Sequence, residues 1–169
     1  MKFYFISAFL TFLIVINSGV FAQTSEQLNE SYTIRSDVRI PTKSGVDISA
    51  IIATKQDLIE PAPVVLFYTT YHQGDGDAIF AKLAADRGYV GVVAYARGVR
   101  TNMEHYTPYK HEQSDIYDII DWLSKQEWSN GKVGMFGGSY TGFSQWAATK
   151  SLHPALKTIV SAGSDYARL

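Results

Sequence analysis

The sequence predicts an α/β fold in which an opening antiparallel hairpin is followed by parallel strand–helix–strand units. Two observations support this prediction. Short continuous apolar runs, at residues 64–68 and 91–94, are typical of strands that are buried on both faces of a parallel sheet. Segments whose apolar residues recur with a 3.6-residue period separate the later strand candidates, so strands and helices alternate along the chain.

Composition narrows the class of protein. The chain has 169 residues, of which 46% are hydrophobic, with 15 basic and 16 acidic residues, a net charge of −1 and no cysteine. This charge balance gives no support for binding to nucleic acid or to an anionic membrane surface. The absence of cysteine excludes disulfides, thiolate metal sites and a cysteine nucleophile.

Residues 1–22 have the layout of a secretory signal peptide. Lys2 precedes an uncharged, mostly apolar run over residues 3–16, and a small residue, Ala22, stands at the expected cleavage point. That run is shorter than the ~20 residues of a membrane span, although an uncleaved N-terminal anchor is the alternative. We expect cleavage after Ala22 and a secreted or periplasmic protein with no membrane contact afterwards, comprising a polar segment (23–31) and a partial α/β domain (32–169).

The first half of that domain has clear element signals. Apolar and polar residues alternate over residues 32–40 and 46–53, which predicts the opening hairpin. Pro61-Ala62-Pro63 then breaks the chain before the strand at 64–68. A helix follows, with Asp77 as its N-cap and Gly88 after its end, and we expect its buried stripe to consist of Ile79, Phe80, Leu83 and Ala84.

The second half continues the alternation. Ser114 and Asp115 are expected to begin a helix with the apolar stripe Ile116, Ile119, Ile120 and Leu123. A strand at 131–136, a helix at 140–151 and a strand at 158–162 follow. The chain therefore supplies about six strands.

The sharpest functional signal lies where the strand at 131–136 meets the next helix, in the segment Gly137-Gly138-Ser139-Tyr140-Thr141-Gly142. A serine between small residues at such a corner is typical of a nucleophile, because the strained turn projects its hydroxyl above the sheet. Ser139 is then the nucleophile, the N–H of Tyr140 is an oxyanion donor, and Gly137, Gly138 and Gly142 make room for the corner. Two alternatives are a tight turn whose serine merely caps the helix, and a phosphate-binding turn, although the lysine of a P-loop is missing.

These residues, together with Asp121-Trp122-Leu123 and the run 128–136, resemble the serine hydrolase family that includes cocaine esterase, α-amino-acid ester hydrolase and Xaa-Pro dipeptidyl-peptidase. That family writes its corner as G-x-S-Y-x-G, and the resemblance extends over roughly residues 38–160. It implies an α/β-hydrolase core, cleavage of a small acyl ester, amide or peptide through an acyl-serine, and no metal or organic cofactor. It also implies that Tyr71, in the loop after the third strand, donates its hydroxyl to the oxyanion; an aromatic that only packs the loop is the alternative.

The chain departs from that family in two ways. The family's D-x-R-G is replaced by Tyr95-Ala96-Arg97-Gly98. A hydrolase of this fold orders its triad as serine, acid and histidine, whereas after Ser139 His153 precedes the single acid, Asp165.

We therefore expect the triad acid and histidine to lie outside this chain. The 169 residues are then the N-terminal part of a longer enzyme, and we expect this part to be inactive on its own. His153 is expected to cap a helix end or to sit in solvent. Loop or solvent roles, rather than zinc binding, are expected for His72, His105 and His111. The alternative function is a short non-catalytic product that binds a partner through an exposed sheet edge at 158–162.

Overall fold

The computed structural model describes residues 31–163, so the predicted signal peptide and Asp165 lie outside the described residues. Six strands and three α-helices follow one another in this part of the chain: β1 (Tyr32–Pro41), β2 (Asp47–Lys55), β3 (Ala62–Thr69), α1 (Ala78–Ala85), β4 (Val90–Tyr95), α2 (Glu112–Ser124), β5 (Ser129–Gly138), α3 (Tyr140–Thr149) and β6 (Leu156–Ala162). Short 3₁₀ turns lie at Gly74–Asp77 and Met103–His105. None of these helices is both long and apolar enough to cross a membrane.

The strands form one mixed sheet in the order β1-β2-β4-β3-β5-β6. β2 runs antiparallel to β4, whereas the β3–β4, β3–β5 and β5–β6 pairs are parallel. The predicted α/β class is therefore confirmed. Because parallel strands end at the same edge of a sheet, the loop after β3 and the corner after β5 are neighbours in space.

α2 packs as its sequence pattern predicts. Its apolar stripe is fully buried, with Ile116, Ile119, Ile120 and Leu123 each at most 1% exposed. The helix begins at Glu112, two residues before the predicted start at Ser114. Ser114 does not cap it, because its hydroxyl donates to the carbonyl of His111.

The predicted stripe of α1 is wrong for two of its four residues. Ile79 and Leu83 are 57% and 42% exposed, and the buried residues of the helix are Ala81, Ala84 and Ala85. The reason is a close approach of helix and sheet, since a Cβ added at Gly91 of β4 would lie 1.9 Å from the carbonyl oxygen of Ala81. Only small side chains fit at that distance.

β3 begins inside the proline-containing segment rather than after it. The N–H of Ala62 donates to the carbonyl of Trp128 at 3.1 Å, which joins β3 to the start of β5. The pairing of β3 with β5 is irregular between Ala62 and Val64. Pro63 lies at that point and has no N–H to donate, so the strand accommodates the proline as an irregularity instead of ending there.

An apolar groove of about 460 Å³ lies between α1 and the strands β5 and β6. Its walls and floor include Leu83, Tyr89, Phe136 and Val160, and Val160 is 62% exposed. β6 is also an edge of the described sheet. This groove is separate from the corner at Ser139, which does not line it.

Candidate active site

Ser139 occupies a strained corner between β5 and α3. Its backbone angles are φ 54° and ψ −125°, a region that residues with a side chain rarely adopt. The residue is exposed, and its side chain makes no capping hydrogen bond to the helix. The alternative that Ser139 caps the helix is therefore wrong. The strained turn places its hydroxyl at the carboxyl edge of the sheet.

The two glycines before Ser139 are required by space. A Cβ on Gly137, whose φ is +144°, would lie 2.1 Å from the hydroxyl oxygen of Thr141. A Cβ on Gly138 would lie 2.8 Å from the carbonyl oxygen of Ala162 on β6. Gly142 is buried within α3, and its N–H donates to the carbonyl of Ser139 at 3.0 Å.

A buried amide holds the corner against both neighbouring strands. Gln145 of α3 is fully buried, and its Nε2 donates to the carbonyl of Gly137 at 3.2 Å. Its Oε1 accepts the N–H of Val160 on β6 at 2.8 Å. In addition, the N–H of Ser139 donates to the carbonyl of Ala162 at 3.1 Å. The orientation of the serine is thus fixed by three hydrogen bonds that cross between elements.

The structure brings Tyr71 beside this corner. Tyr140 is the first residue of α3, so its N–H has no acceptor within the helix and lies at the positive end of the helix dipole. Tyr71 lies in the loop after β3, and its ring meets the ring of Tyr140 edge-on at a centroid distance of 6.2 Å. Tyr71 is 50% exposed as a residue.

Glu112 stabilises the corner through the side chain of Tyr140, and it was not predicted from the sequence. Its carboxylate is 4% exposed and accepts the hydroxyl of Tyr140 at 2.5 Å, the N–H of Tyr109 at 2.8 Å and the N–H of His111 at 3.0 Å. Burial, followed by the nearby Tyr68 and the hydrogen bond to Glu112, raises the pKa of Tyr140 far above its ordinary value. The phenol therefore stays protonated and donates. An acidic residue in the first turn of a helix was the available sequence signal.

Asp77 organises the loop that carries Tyr71. The residue immediately precedes α1, as predicted for an N-cap, but its side chain does not cap the helix. Its buried carboxylate instead accepts the hydroxyl of Tyr95 at 2.6 Å, Nδ1 of His72 at 2.9 Å and the N–H of Gln73 at 3.1 Å. Burial alone would raise the pKa of Asp77, but the hydrogen bonds from Tyr95, His72 and Gln73 outweigh it and lower this pKa.

Arg97 pairs with a buried carboxylate. Its guanidinium forms a two-pronged ion pair with Asp115, which is 1% exposed, and also donates to the hydroxyl of Ser44 at 3.1 Å. The hydrogen bond to Asp115 raises the pKa of Arg97. Tyr95, two residues before Arg97, donates its hydroxyl to Asp77.

His153 is a structural histidine, and the expectation that it caps a helix or sits in solvent is wrong. It is 9% exposed, its Nδ1 accepts the N–H of Ala155 at 3.1 Å, and its Nε2 lies 3.3 Å from Oδ1 of Asp121. Because Nδ1 accepts, Nε2 carries the proton. His153 also precedes β6, at the edge of the sheet opposite Ser139. Among residues 31–163 no cluster of three or more histidine or acidic side chains could hold a metal ion.

Known proteins are similar to this chain over part of their own length. Cocaine esterase from Rhodococcus sp. (strain MB1 Bresler) is 32% identical over 138 residues, which are 76% of this chain and 23% of the esterase. The structure of an α-amino acid ester hydrolase matches with a TM-score of 0.61 and 29% identity, covering 76% of this chain and 25% of that one. An aminopeptidase from a marine sediment Thaumarchaeota archaeon matches with a TM-score of 0.63 and 29% identity, covering 78% and 26%.

The chain thus spans about a quarter of the length of these relatives. The family description X-Pro dipeptidyl-peptidase (S15 family) matches residues 45–168, which is most of the sequence and includes the corner at Ser139. By this match and by its likeness to cocaine esterase, the chain belongs to the S15 family of serine hydrolases.

Proposed function

We propose that this chain is the secreted, N-terminal part of a serine hydrolase that cleaves an ester, amide or peptide bond through an acyl-serine at Ser139. The observation that carries the proposal is the backbone of Ser139, which is held at φ 54° and ψ −125°. The residue is exposed, and its side chain makes no capping hydrogen bond to the helix. Backbone strain of this kind is retained at functional sites where the surroundings enforce it. Gly137, Gly138 and Gln145 provide those surroundings.

The chemistry follows from the groups around that hydroxyl. Oγ of Ser139 attacks the substrate carbonyl, and the oxygen that becomes negative accepts hydrogen bonds from the N–H of Tyr140 and the hydroxyl of Tyr71. The tetrahedral intermediate then expels the alcohol or amine, which takes up a proton, and water releases the acyl group from Ser139. The substrate is a small acyl ester, amide or peptide, in keeping with the names of the esterase and ester hydrolase relatives.

A general base must accept the proton of Ser139. His153 cannot serve in this position, since it is buried, paired with Asp121 and located at the opposite edge of the sheet. We therefore assign the triad histidine and its carboxylate to polypeptide that follows these residues in the complete enzyme. The edge of β6 and the groove beside it are then the surfaces on which that polypeptide packs.

A second candidate function rests on the same edge. The exposed β6 edge and the apolar groove with Val160 would also suit a short product that binds a partner without catalysis. The reading frame after Leu169 separates the two candidates. Continuation through an acid followed by a histidine supports the hydrolase, and a stop codon supports the binding module.

The catalytic test uses the protein encoded by the complete reading frame and a chromogenic ester. Ser139→Ala should reduce turnover by several powers of ten, whereas Ser151→Ala, a serine outside the corner, should not. Tyr71→Phe removes one oxyanion donor and should lower kcat by about 100- to 1000-fold, with Tyr89→Phe as the matched control. Full activity in Ser139→Ala would refute the assignment of the nucleophile.

The proposed secretion has a separate test. The exported protein should have Gln23 as its first residue in N-terminal sequencing.

A further inference from the structure

A second strained residue lies beside Ser139. Tyr109 has φ 67°, and the residue is 57% exposed. The ring meets that of Phe143 at a centroid distance of 4.9 Å and that of Tyr140 at 5.3 Å, in both cases edge-on. An exposed aromatic residue whose ring is fixed against two neighbours offers a preformed contact surface.

The neighbours of Tyr109 place it at the nucleophile. Phe143 follows Ser139 by four residues, and its N–H donates to the carbonyl of Ser139 at 2.9 Å. Tyr71 contacts the ring of Tyr140 as well, at 6.2 Å. The rings of two exposed tyrosines, Tyr71 and Tyr109, therefore pack on the residue that directly follows the nucleophile.

Glu112 holds Tyr109 in its unusual conformation. The oxygen Oε1 that accepts the N–H of Tyr109 at 2.8 Å also accepts the hydroxyl of Tyr140 at 2.5 Å. A left-handed backbone is unfavourable for a residue with a side chain, so it persists only where other contacts enforce it. Here a single buried carboxylate ties the backbone of Tyr109 to the corner that presents Ser139.

We propose that Tyr109 determines specificity by contacting an aromatic or other flat apolar acyl group next to the scissile carbonyl, and that Glu112 is its positioning residue. This inference rests on the proposed role of Ser139 as the nucleophile. Tyr109 acts through its ring, since its hydrogen bond to Glu112 comes from the backbone. The preference should therefore survive loss of the hydroxyl but not loss of the ring.

The test compares two sulfonyl fluorides that differ only in the group attached to sulfur. In each case Oγ of a reactive serine displaces fluoride and loses its proton to the catalytic base. The rate constant for inactivation of the complete enzyme is measured with phenylmethanesulfonyl fluoride and with methanesulfonyl fluoride, and the ratio of the two is the readout. Because the small reagent reports general damage to the site, the ratio isolates recognition of the ring.

We expect Tyr109→Ala to lower this ratio by about three- to tenfold, which is the range of an edge-on aromatic contact. Tyr109→Phe should preserve the ratio. Glu112→Gln should also lower the ratio. The carboxylate accepts the backbone N–H groups of Tyr109 and His111 with its two oxygens, and an amide replaces one of these acceptors by an N–H₂ donor. Ile59→Ala, which removes an apolar side chain that is 92% exposed in the loop before β3, is the control and should leave the ratio unchanged.

The outcomes separate this inference from the proposed function. Failure of both reagents to modify the wild-type enzyme, or modification that persists in Ser139→Ala, contradicts the assignment of the nucleophile. Modification of Ser139 with the same ratio in wild type and Tyr109→Ala overturns the role of Tyr109. If Tyr109→Ala does not fold, Tyr109→Leu keeps apolar bulk without a ring, and an unchanged ratio in that variant has the same meaning.

Discussion

Replacing Ser139 by glycine should stabilise the protein, because glycine adopts φ 54° and ψ −125° without the strain that a side chain imposes. Relief of such strain contributes about 1–3 kcal/mol. The greater freedom of glycine in the unfolded chain offsets about 0.4–1 kcal/mol. Since the Ser139 side chain makes no capping hydrogen bond, little else is lost. The difference is a net gain of about 0–2.6 kcal/mol, centred on ~1.3 kcal/mol, and a gain of ~1.3 kcal/mol corresponds to a rise in Tm of roughly 3–5 °C.

The assay is thermal unfolding of Ser139→Gly measured against Ser139→Ala, since both variants lack the hydroxyl and differ only in backbone freedom. Ser36 provides a control of opposite sign. It is exposed in the extended strand β1, where glycine should be less stable than alanine by about 0.5–1 kcal/mol. A Ser139→Gly variant that unfolds at or below the Tm of Ser139→Ala would refute the claim that the corner is strained.

Further predictions concern the network around the corner. The pKa of Asp77 is lowered in the folded state. Its contribution to the free energy of unfolding is therefore complete above its unfolded pKa of about 3.9 and is lost as the pH falls through the lower folded pKa. The urea midpoints at about pH 7 and pH 3 should consequently differ less in Asp77→Asn than in wild type. Asp115→Asn breaks the buried pair with Arg97 and should cost about 3–5 kcal/mol of unfolding free energy in urea. Gly137→Ala should lower the Tm far more than Gly45→Ala, because both have positive φ but only position 137 is crowded.

The order and type of the elements could be predicted because they depend on local pattern. The stripe from Ile116 to Leu123 has a helical period, and the run 91–94 is apolar throughout, so helix and strand were distinguishable without tertiary information. The pattern failed at α1, where Ile79 and Leu83 are apolar yet exposed. The close approach of Gly91 selects the alanine face of that helix, and no local signal in the sequence reports a distance between elements.

The candidate site divides in the same way. The corner at Ser139 was predicted because its glycines and serine are adjacent in sequence. Glu112, Tyr109 and Asp77 escaped prediction in these roles, because each acts through hydrogen bonds or ring contacts to other segments, as in the bond from Tyr140 to Glu112 across 28 positions. The burial of His153 likewise depends on Asp121, which lies 32 residues away. Patterns of neighbouring residues do not encode such pairings.

The most direct test of the central claim is to locate the covalent adduct after the complete enzyme reacts with a fluorophosphonate. Trypsin should release the segment 133–150, which contains Ser139 and, five residues later, the buried Ser144. We expect fragmentation to place the phosphonyl group on Ser139 alone and expect no adduct in Ser139→Ala. An adduct on Ser144 or on a residue outside this segment would contradict the assignment of Ser139 as the nucleophile.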